Sequence, residues 1–290
     1  MRYTISAILD MSNSPKKVFI SIDMEGTSGI VDWTQVGRDK DEYAIGRKLM
    51  VGDLNAAVEG ALKAGAEEIV VSDAHGVMRN LQPEEVHEAA YLIRGSPKPL
   101  SMMEGISDEF DAALYVAYHS MNGTENGVLA HTISGSVVDA VFVNGRETGE
   151  FGMNAALAGW CGVPSVFVSG DAAVAAECRS FVPKIHVAII KWGVGRYAAR
   201  CMHPRPARAL ITKTVAEALA DYDKIDPYVV QEPVEVKLKC VTSTQADAAS
   251  VLPYAERVDG RMIKSIFSNY NQALKGLRAA ITLSGTAEAR

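Results

Sequence analysis

Apolar residues along the chain occur either in short continuous runs or in longer stretches with helical spacing. The run at Val18–Ile22 is typical of a buried strand, and the stretch from Tyr43 to about Ala64 has the apolar face of a helix, with Gly65 at the expected C′ position. Strands are also predicted at EEIVVSD, AAYLIRG, AALYVAY, VVDAVFVNG, PSVFVSGD and KIHVAIIKW, and helices at residues 150–160 and in AAVAAECRSF. This alternation predicts an α/β fold with a largely parallel sheet flanked by helices.

The rhythm changes toward the C-terminus. A helix near residues 205–221 is followed by PVEVKLKC, ADAASVLPY, RMIKSIFS and YNQALKGLRAAI, which read as strand, helix, strand and helix. We therefore predict an N-terminal extension at residues 1–16, the main α/β domain at 17–195 and a smaller C-terminal α+β unit at 196–290. Asp10 interrupts the apolar run near the N-terminus and no small-residue cleavage site follows, so we interpret residues 1–16 as an extension rather than a secretory leader.

Composition limits the classes of function. The chain has 290 residues, of which 48% are hydrophobic and 22% charged, and its net charge is −6 with Lys and Arg scattered along it. This pattern argues against a nucleic-acid partner, and no apolar run reaches the ~20 residues that a membrane-spanning helix needs. The four cysteines show no metal-type pairing, so we expect reduced thiols in a cytoplasmic protein.

Side chains that commonly bind metals follow three of the predicted strands. The first strand ends at DMEG, the second at SDAHG and the fourth at YHS, which places Asp23, Glu25, His75 and His119 just beyond strand ends. Glu150 stands at the start of a predicted helix. Because the carboxyl ends of parallel strands share one edge of the sheet, we expect these side chains to converge.

Three carboxylates and two imidazoles without a thiolate form a nitrogen–oxygen donor set that suits Zn²⁺, and also Mn²⁺ or Co²⁺. Five ligands exceed the three usual at a single catalytic zinc, but they can hold two metal ions about 3.5–4 Å apart if one carboxylate bridges. The bridge is expected from DMEG, because Asp23 and Glu25 point to the same side of an extended chain. The two acids then tolerate each other because cations neutralise them.

Simpler interpretations exist for single residues. Asp73 and Asp171 are expected to cap turns, and Glu150 alone would favour a helix N-terminus. Two other functions also fit a metal site: a binuclear phosphoesterase, and a non-catalytic binding module with a structural metal. The chain has no P-loop and no marked Arg cluster beside the candidate ligands, which argues against the first. Structural zinc sites are usually rich in thiolates, which argues against the second.

Five motifs in one order carry a family resemblance: SIDMEGTSGI, SDAHG, YHS, LAHT and GEFGMNA. In this respect the chain resembles the D-aminopeptidase family of zinc peptidases, the DppA-like M55 metallopeptidases. The resemblance implies a two-zinc site whose ligands are Asp23, Glu25, His75, His119 and Glu150. It also implies removal of N-terminal residues from short peptides, with D-amino acids accepted, and a ring-like homo-oligomer such as a decamer. The N-terminal extension and the loop MNGTENG depart from the family pattern.

The resemblance assigns the catalytic role to His131, in LAHT. A Gly- and Asn-rich loop separates this residue from His119, so His131 can lie over the site without binding metal. General base, general acid and nucleophile all remain open for it.

Overall fold

Two sheets organise residues 15–287, which are the residues that the computed structural model describes. Of the predicted N-terminal extension, all but Pro15 and Lys16 lies outside them. The strands are β1 (Lys17–Ile22), β2 (Glu68–Asp73), β3 (Ala90–Ile93), β4 (Ala112–Tyr118), β5 (Val138–Val143), β6 (Arg146–Glu147), β7 (Ser165–Asp171), β8 (His186–Gly195), β9 (Ala198–Cys201), β10 (Val234–Cys240), β11 (Glu256–Arg257) and β12 (Met262–Phe267). The helices are α1 (Trp33–Val36), α2 (Tyr43–Lys63), α3 (Glu150–Trp160), α4 (Ala172–Phe181), α5 (Pro204–Ala220), α6 (Ser243–Ala249) and α7 (Tyr270–Ser284).

The first sheet has the strand order β3-β2-β1-β4-β7-β8-β9. Its strands are parallel except for β9, which runs antiparallel to β8 at one edge. Every residue of β4 and β7 is buried, as expected for parallel strands covered on both faces. Helix α2 packs against α5, and α3 and α4 contact each other and the sheet. The predicted α/β class and its largely parallel sheet are confirmed.

The second sheet is antiparallel and has the order β11-β12-β10-β5-β6, with α6 and α7 packed against it. Its strands come from both sides of residues 195 and 196, because β5 pairs with β10. The boundary predicted there stays a prediction. The Asn-Gly pair that ends VVDAVFVNG forms the turn between β5 and β6: Asn144 and Gly145 have φ values of 47° and 81°.

The long helix predicted from Tyr43 is α2, and Gly65 follows it with a φ of 90°, as expected for a C′ glycine. The short helix α1 lies between the strand predicted at Val18–Ile22 and the helix predicted from Tyr43, where no helix is predicted from the sequence. A capping box makes it possible, because the Asp32 side chain accepts from the backbone and the Gln35 side chain accepts from the backbone of Asp32. Among residues 15–287, no helix is both long enough and apolar enough to cross a membrane.

Register in the first sheet fixes where the site forms. Ile22 at the end of β1 pairs with Asp73 of β2 on one side and with Val116 of β4 on the other. The residues that follow these three strands therefore meet at one edge. Helix α3 begins near this edge, and α7 packs against α3, so the second sheet's helical layer also reaches it.

Candidate metal centre

The DMEG segment leaves β1 in very close contact with the end of β4. Asp23 and Glu25 are 2% and 1% exposed, and the Gly26 amide donates to the Ala117 carbonyl at 2.8 Å. A Cβ atom on Gly26 would lie 2.0 Å from the carbonyl oxygen of Tyr118. Only glycine lets the two backbones approach so closely, and this approach places both carboxylates beside the residues that follow β4.

His75, just after β2, turns one ring nitrogen toward these carboxylates. Its Nε2 lies 3.0 Å from the Val36 carbonyl, and because a carbonyl only accepts, Nε2 carries a proton. Its Nδ1 lies 3.3 Å from Asp23 Oδ1 and 3.0 Å from Glu25 Oε2. Asp23, Glu25 and His75 therefore offer three ligand atoms to one point.

His119 and Glu150 form a second group on the other side of Asp23. His119 Nδ1 donates to the Ser120 carbonyl at 2.9 Å, which directs Nε2 into the site. This Nε2 lies 3.3 Å from Asp23 Oδ2 and 3.4 Å from Glu150 Oε1. Glu150 is the first residue of α3, and its Oε1 also accepts from the Ile133 amide at 2.6 Å. The two carboxylate oxygens of Asp23 thus face two different groups.

The atoms at the centre of this arrangement fit bound cations. Asp23 Oδ2 and His119 Nε2 are buried and have no hydrogen-bond partner among residues 15–287, although they lie 3.3 Å apart. Buried polar atoms without a partner are rare in proteins and call for an explanation. A role as metal ligands explains both atoms, because oxygen and imidazole donors without a thiolate suit zinc.

The electrostatics of the metal-free chain also favour a bound positive charge. Burial opposes ionisation of Asp23, but its contacts with His119 and His75 outweigh burial and hold the carboxyl pKa well below its usual value. Burial opposes the charged forms of both histidines, yet Glu25 and Asp23 raise the pKa of His75, and Glu150 and Asp23 raise the pKa of His119, well above 6.5. The carboxylates therefore attract positive charge, which either protons or metal ions can supply.

His131 lies directly over His119. The two imidazole rings stack with centroids 4.0 Å apart, and the Trp33 ring meets His131 edge-on at 5.3 Å. His131 Nδ1 donates to the Leu129 carbonyl at 2.9 Å, so Nε2 is the nitrogen free to exchange a proton or bind a metal.

The free nitrogen of His131 faces the carboxylates from a greater distance than the other histidines do. Its Nε2 lies 4.0 Å from Glu25 Oε1 and 3.9 Å from Glu150 Oε1. His119, His131 and Glu150 nevertheless offer atoms within 4.8 Å of one another, so the geometry also permits metal binding by His131. Its catalytic role stays a prediction.

The expectation that Asp73 and Asp171 cap turns is confirmed. Asp171 caps α4 by accepting from the Val174 amide at 2.8 Å. Asp73 accepts from the amides of Asn80 and Leu81 at 2.6 and 2.9 Å, which fixes the turn after His75. Neither residue belongs to the two ligand groups.

Lys191 supports the site and was missed by sequence reasoning. It is fully buried in β8, and its ammonium donates to the backbone carbonyls of Glu25, Thr27 and Ile30. It thereby holds the loop that follows DMEG. Burial lowers the pKa of Lys191 to about 8. The sequence does contain one indication of this buried charge, because the lysine stands inside the apolar strand KIHVAIIKW.

A cavity of about 590 Å³ opens onto the centre. Glu25, His75, His131 and Glu150 line one side of it, and Trp33 of α1 borders it. The lining also includes residues from the far end of the chain, among them Arg278, Ile281 and Thr282 of α7. The volume is in the range of small-molecule sites.

Comparisons with known proteins identify relatives of this chain. The family model of the M55 peptidases, described as D-aminopeptidase, matches residues 16–279. A D-aminopeptidase of Bacillus subtilis strain 168 is 36% identical over 240 residues, which cover 83% of this chain and 87% of that protein. The solved structure of the Zn-dependent D-aminopeptidase DppA from Bacillus subtilis, a self-compartmentalizing protease, is similar with a TM-score of 0.92 at 32% identity. The similarity covers 94% of this chain and all of the DppA chain.

Proposed function

Because the chain belongs to the M55 peptidases, the D-aminopeptidase family, we propose that it is a zinc-dependent aminopeptidase. It hydrolyses the N-terminal peptide bond of short peptides, including those that begin with a D-amino acid, and it uses two zinc ions. The observation that carries the two-ion centre is the position of Asp23, whose Oδ1 and Oδ2 face separate ligand groups 3.3 Å from His75 Nδ1 and His119 Nε2. Asp23 would therefore be a ligand in both groups.

In this proposal each ion has three protein ligands. Asp23, Glu25 and His75 would hold the first, and Asp23, His119 and Glu150 would hold the second. Three ligands per ion leave positions open for water and substrate, as catalytic sites require. Mn²⁺ or Co²⁺ is compatible with the same donors, and the Zn-dependent relative supports zinc.

Bound zinc supplies Lewis-acid chemistry that polarises the scissile carbonyl and lowers the pKa of a water molecule. His131 moves the protons. Its Nδ1 is held by the Leu129 carbonyl, so Nε2 accepts a proton from the attacking water and donates it to the leaving amine. Stacking on His119 and the edge of Trp33 keep the ring in this orientation.

Location and assembly belong to the proposal as well. A cytoplasmic location is supported by the four cysteines, none of which forms a disulfide within residues 15–287. A ring-like homo-oligomer is supported by the relative described as a self-compartmentalizing protease.

A substrate panel with metal analysis tests the function. Protein reconstituted with zinc is assayed with D- and L-aminoacyl anilides, with dipeptides and with a phosphomonoester, with and without a chelator. We expect chelator-sensitive release of N-terminal residues. Asp23→Asn should abolish both zinc binding and hydrolysis, whereas Asp247→Asn, at an exposed carboxylate, should change neither. Faster turnover of the phosphomonoester, or hydrolysis that survives complete metal removal, would contradict the proposal.

A further inference from the structure

Arg278 is a positively charged side chain in the wall of the catalytic cavity. It belongs to α7, and it lines the same cavity as Glu25, His131 and Glu150. The side chain is partly buried. Its guanidinium has no hydrogen-bond or ion-pair partner among residues 15–287, although five N–H donors are available on it. An unpaired guanidinium in a cavity wall is available to a ligand.

The charge balance of the cavity leaves Arg278 without an internal counter-ion. Among the described lining residues, Arg278 is the sole Lys or Arg, and Glu25 and Glu150 are the acids. In the proposed centre both acids bind metal, and four positive charges of two zinc ions face the three carboxylates of Asp23, Glu25 and Glu150. Burial lowers the pKa of Arg278 and Glu150 opposes this effect, but a guanidinium stays charged at neutral pH. The loaded cavity therefore attracts an anion.

We propose that Arg278 binds the C-terminal carboxylate of a dipeptide substrate and so makes free-acid dipeptides the preferred substrates. This inference rests on the proposed function. In a dipeptide the carboxylate lies one residue beyond the scissile bond, about 3.3–3.6 Å further along an extended chain. A planar guanidinium matches a carboxylate in bidentate geometry. Each further residue moves the carboxylate away, so Arg278 also selects for length.

The wall around Arg278 is suited to a small polar ligand. Thr282 lies one helical turn further along α7 and lines the same cavity, as does Ser134 on a facing loop. Ile281 contributes an apolar side chain to the same lining. The cavity of about 590 Å³ is in the size range of small-ligand sites, and the partial burial of Arg278 reduces the screening of its charge by solvent.

The test compares D-Ala-Gly with its C-terminal amide on the zinc-loaded enzyme. These substrates share the scissile bond and differ in the charge that Arg278 is proposed to bind. We expect kcat/KM for the acid to exceed that for the amide by about 10- to 150-fold, as for loss of a hydrogen bond to a charged group. Arg278→Gln should remove this preference by lowering the value for the acid. The amide, and D-alanyl p-nitroanilide, should be cleaved as by the wild type.

Lys275→Gln is the matched control, because it removes one positive charge from the exposed side of the same helix. It should keep the wild-type preference. An equal loss for acid and amide in Arg278→Gln would overturn the inference, because Arg278 would then act through the fold or through Glu150. Loss of the preference in Arg196→Gln, an exposed arginine outside the cavity lining, would overturn it too.

A binding measurement separates this inference from the proposed function. Calorimetric titration of the zinc-loaded protein with the acid and with the amide reports carboxylate recognition whether or not the bond is cleaved. Tighter binding of the acid that Arg278→Gln abolishes, without any hydrolysis, would support the inference and contradict the proposed function. Hydrolysis of both substrates with no preference of the wild type for the acid would support the proposed function and contradict the inference.

Discussion

Replacement of Gly26 by alanine tests whether the close approach of two loops builds the metal centre. The new Cβ would lie 2.0 Å from the Tyr118 oxygen and 2.3 Å from the Ala117 carbonyl carbon, whereas ordinary contact begins at 3.4 Å. The loop would have to move by the difference, 1.4 Å between Cβ and the Tyr118 oxygen. Backbone surrounds the new methyl group, so no change of rotamer relieves the clash.

The displacement would act directly on the ligands. Glu25 immediately precedes Gly26, and Tyr118 immediately precedes His119, so the movement separates the two ligand groups. We expect the free energy of unfolding of the metal-free protein to fall by about 1–3 kcal/mol, as in other overpacked sites. Zinc affinity should fall on the order of 10- to 100-fold, the effect of disturbing the groups that orient metal ligands.

Two assays measure these effects: zinc competition with a chromogenic chelator, and denaturant unfolding of the metal-free protein. Gly195→Ala is the matched control, because its Cβ would meet no atom within 4 Å. It should leave both quantities unchanged. If Gly26→Ala binds two zinc ions with wild-type affinity and unfolds at the wild-type denaturant concentration, the close approach does not hold the ligands in place.

Three further predictions concern proton transfer by His131, the pH dependence of zinc binding and the contribution of Lys191 to stability. His131→Ala should lower kcat by about 10²–10⁴-fold with zinc content unchanged, whereas His119→Ala should lose zinc and activity together; zinc loss in His131→Ala, measured by elemental analysis, would make His131 a ligand. The raised pKa values of His75 and His119 mean that both bind protons already above pH 6.5 in the metal-free chain, so zinc affinity should fall as pH falls. At pH 7 zinc should displace about two protons per chain, and calorimetry in buffers of different ionisation enthalpy that detects no proton release would refute this. Lys191→Met should lower the free energy of unfolding by about 1–3 kcal/mol, because it removes the donor to three buried carbonyls; an unchanged denaturant midpoint would show that Lys191 does not hold the loop.

The convergence of the five candidate ligands could be predicted because it depends on local signals and one general rule. Each strand is marked by a short apolar run, and Asp23, His75 and His119 follow such runs at once. Parallel pairing of β1 with β2 and β4 then brings the three strand ends together. The pairing itself follows from the alternation of strands and helices, which favours parallel neighbours.

Other features depend on contacts between distant segments and left no periodic signal. The pairing of β5 with β10 joins residues almost a hundred positions apart, and it extends the second sheet into the predicted main domain. Lys191 and Arg278 reach the site from β8 and α7. The sequence does not show which residue or ligand a single charged side chain in an apolar strand or an amphipathic helix contacts. These contacts depend on tertiary packing, which the spacing of residues along the sequence does not predict.

Zinc-edge anomalous diffraction from crystals of the zinc-reconstituted protein tests the two-ion centre most directly. We predict two peaks about 3.5–4 Å apart, the separation typical of paired catalytic metals. One should lie beside Glu25 and His75, the other beside His119 and Glu150, and the two oxygens of Asp23 should each contact one ion. A single peak under saturating zinc, or two peaks of which only one contacts Asp23, would contradict the account.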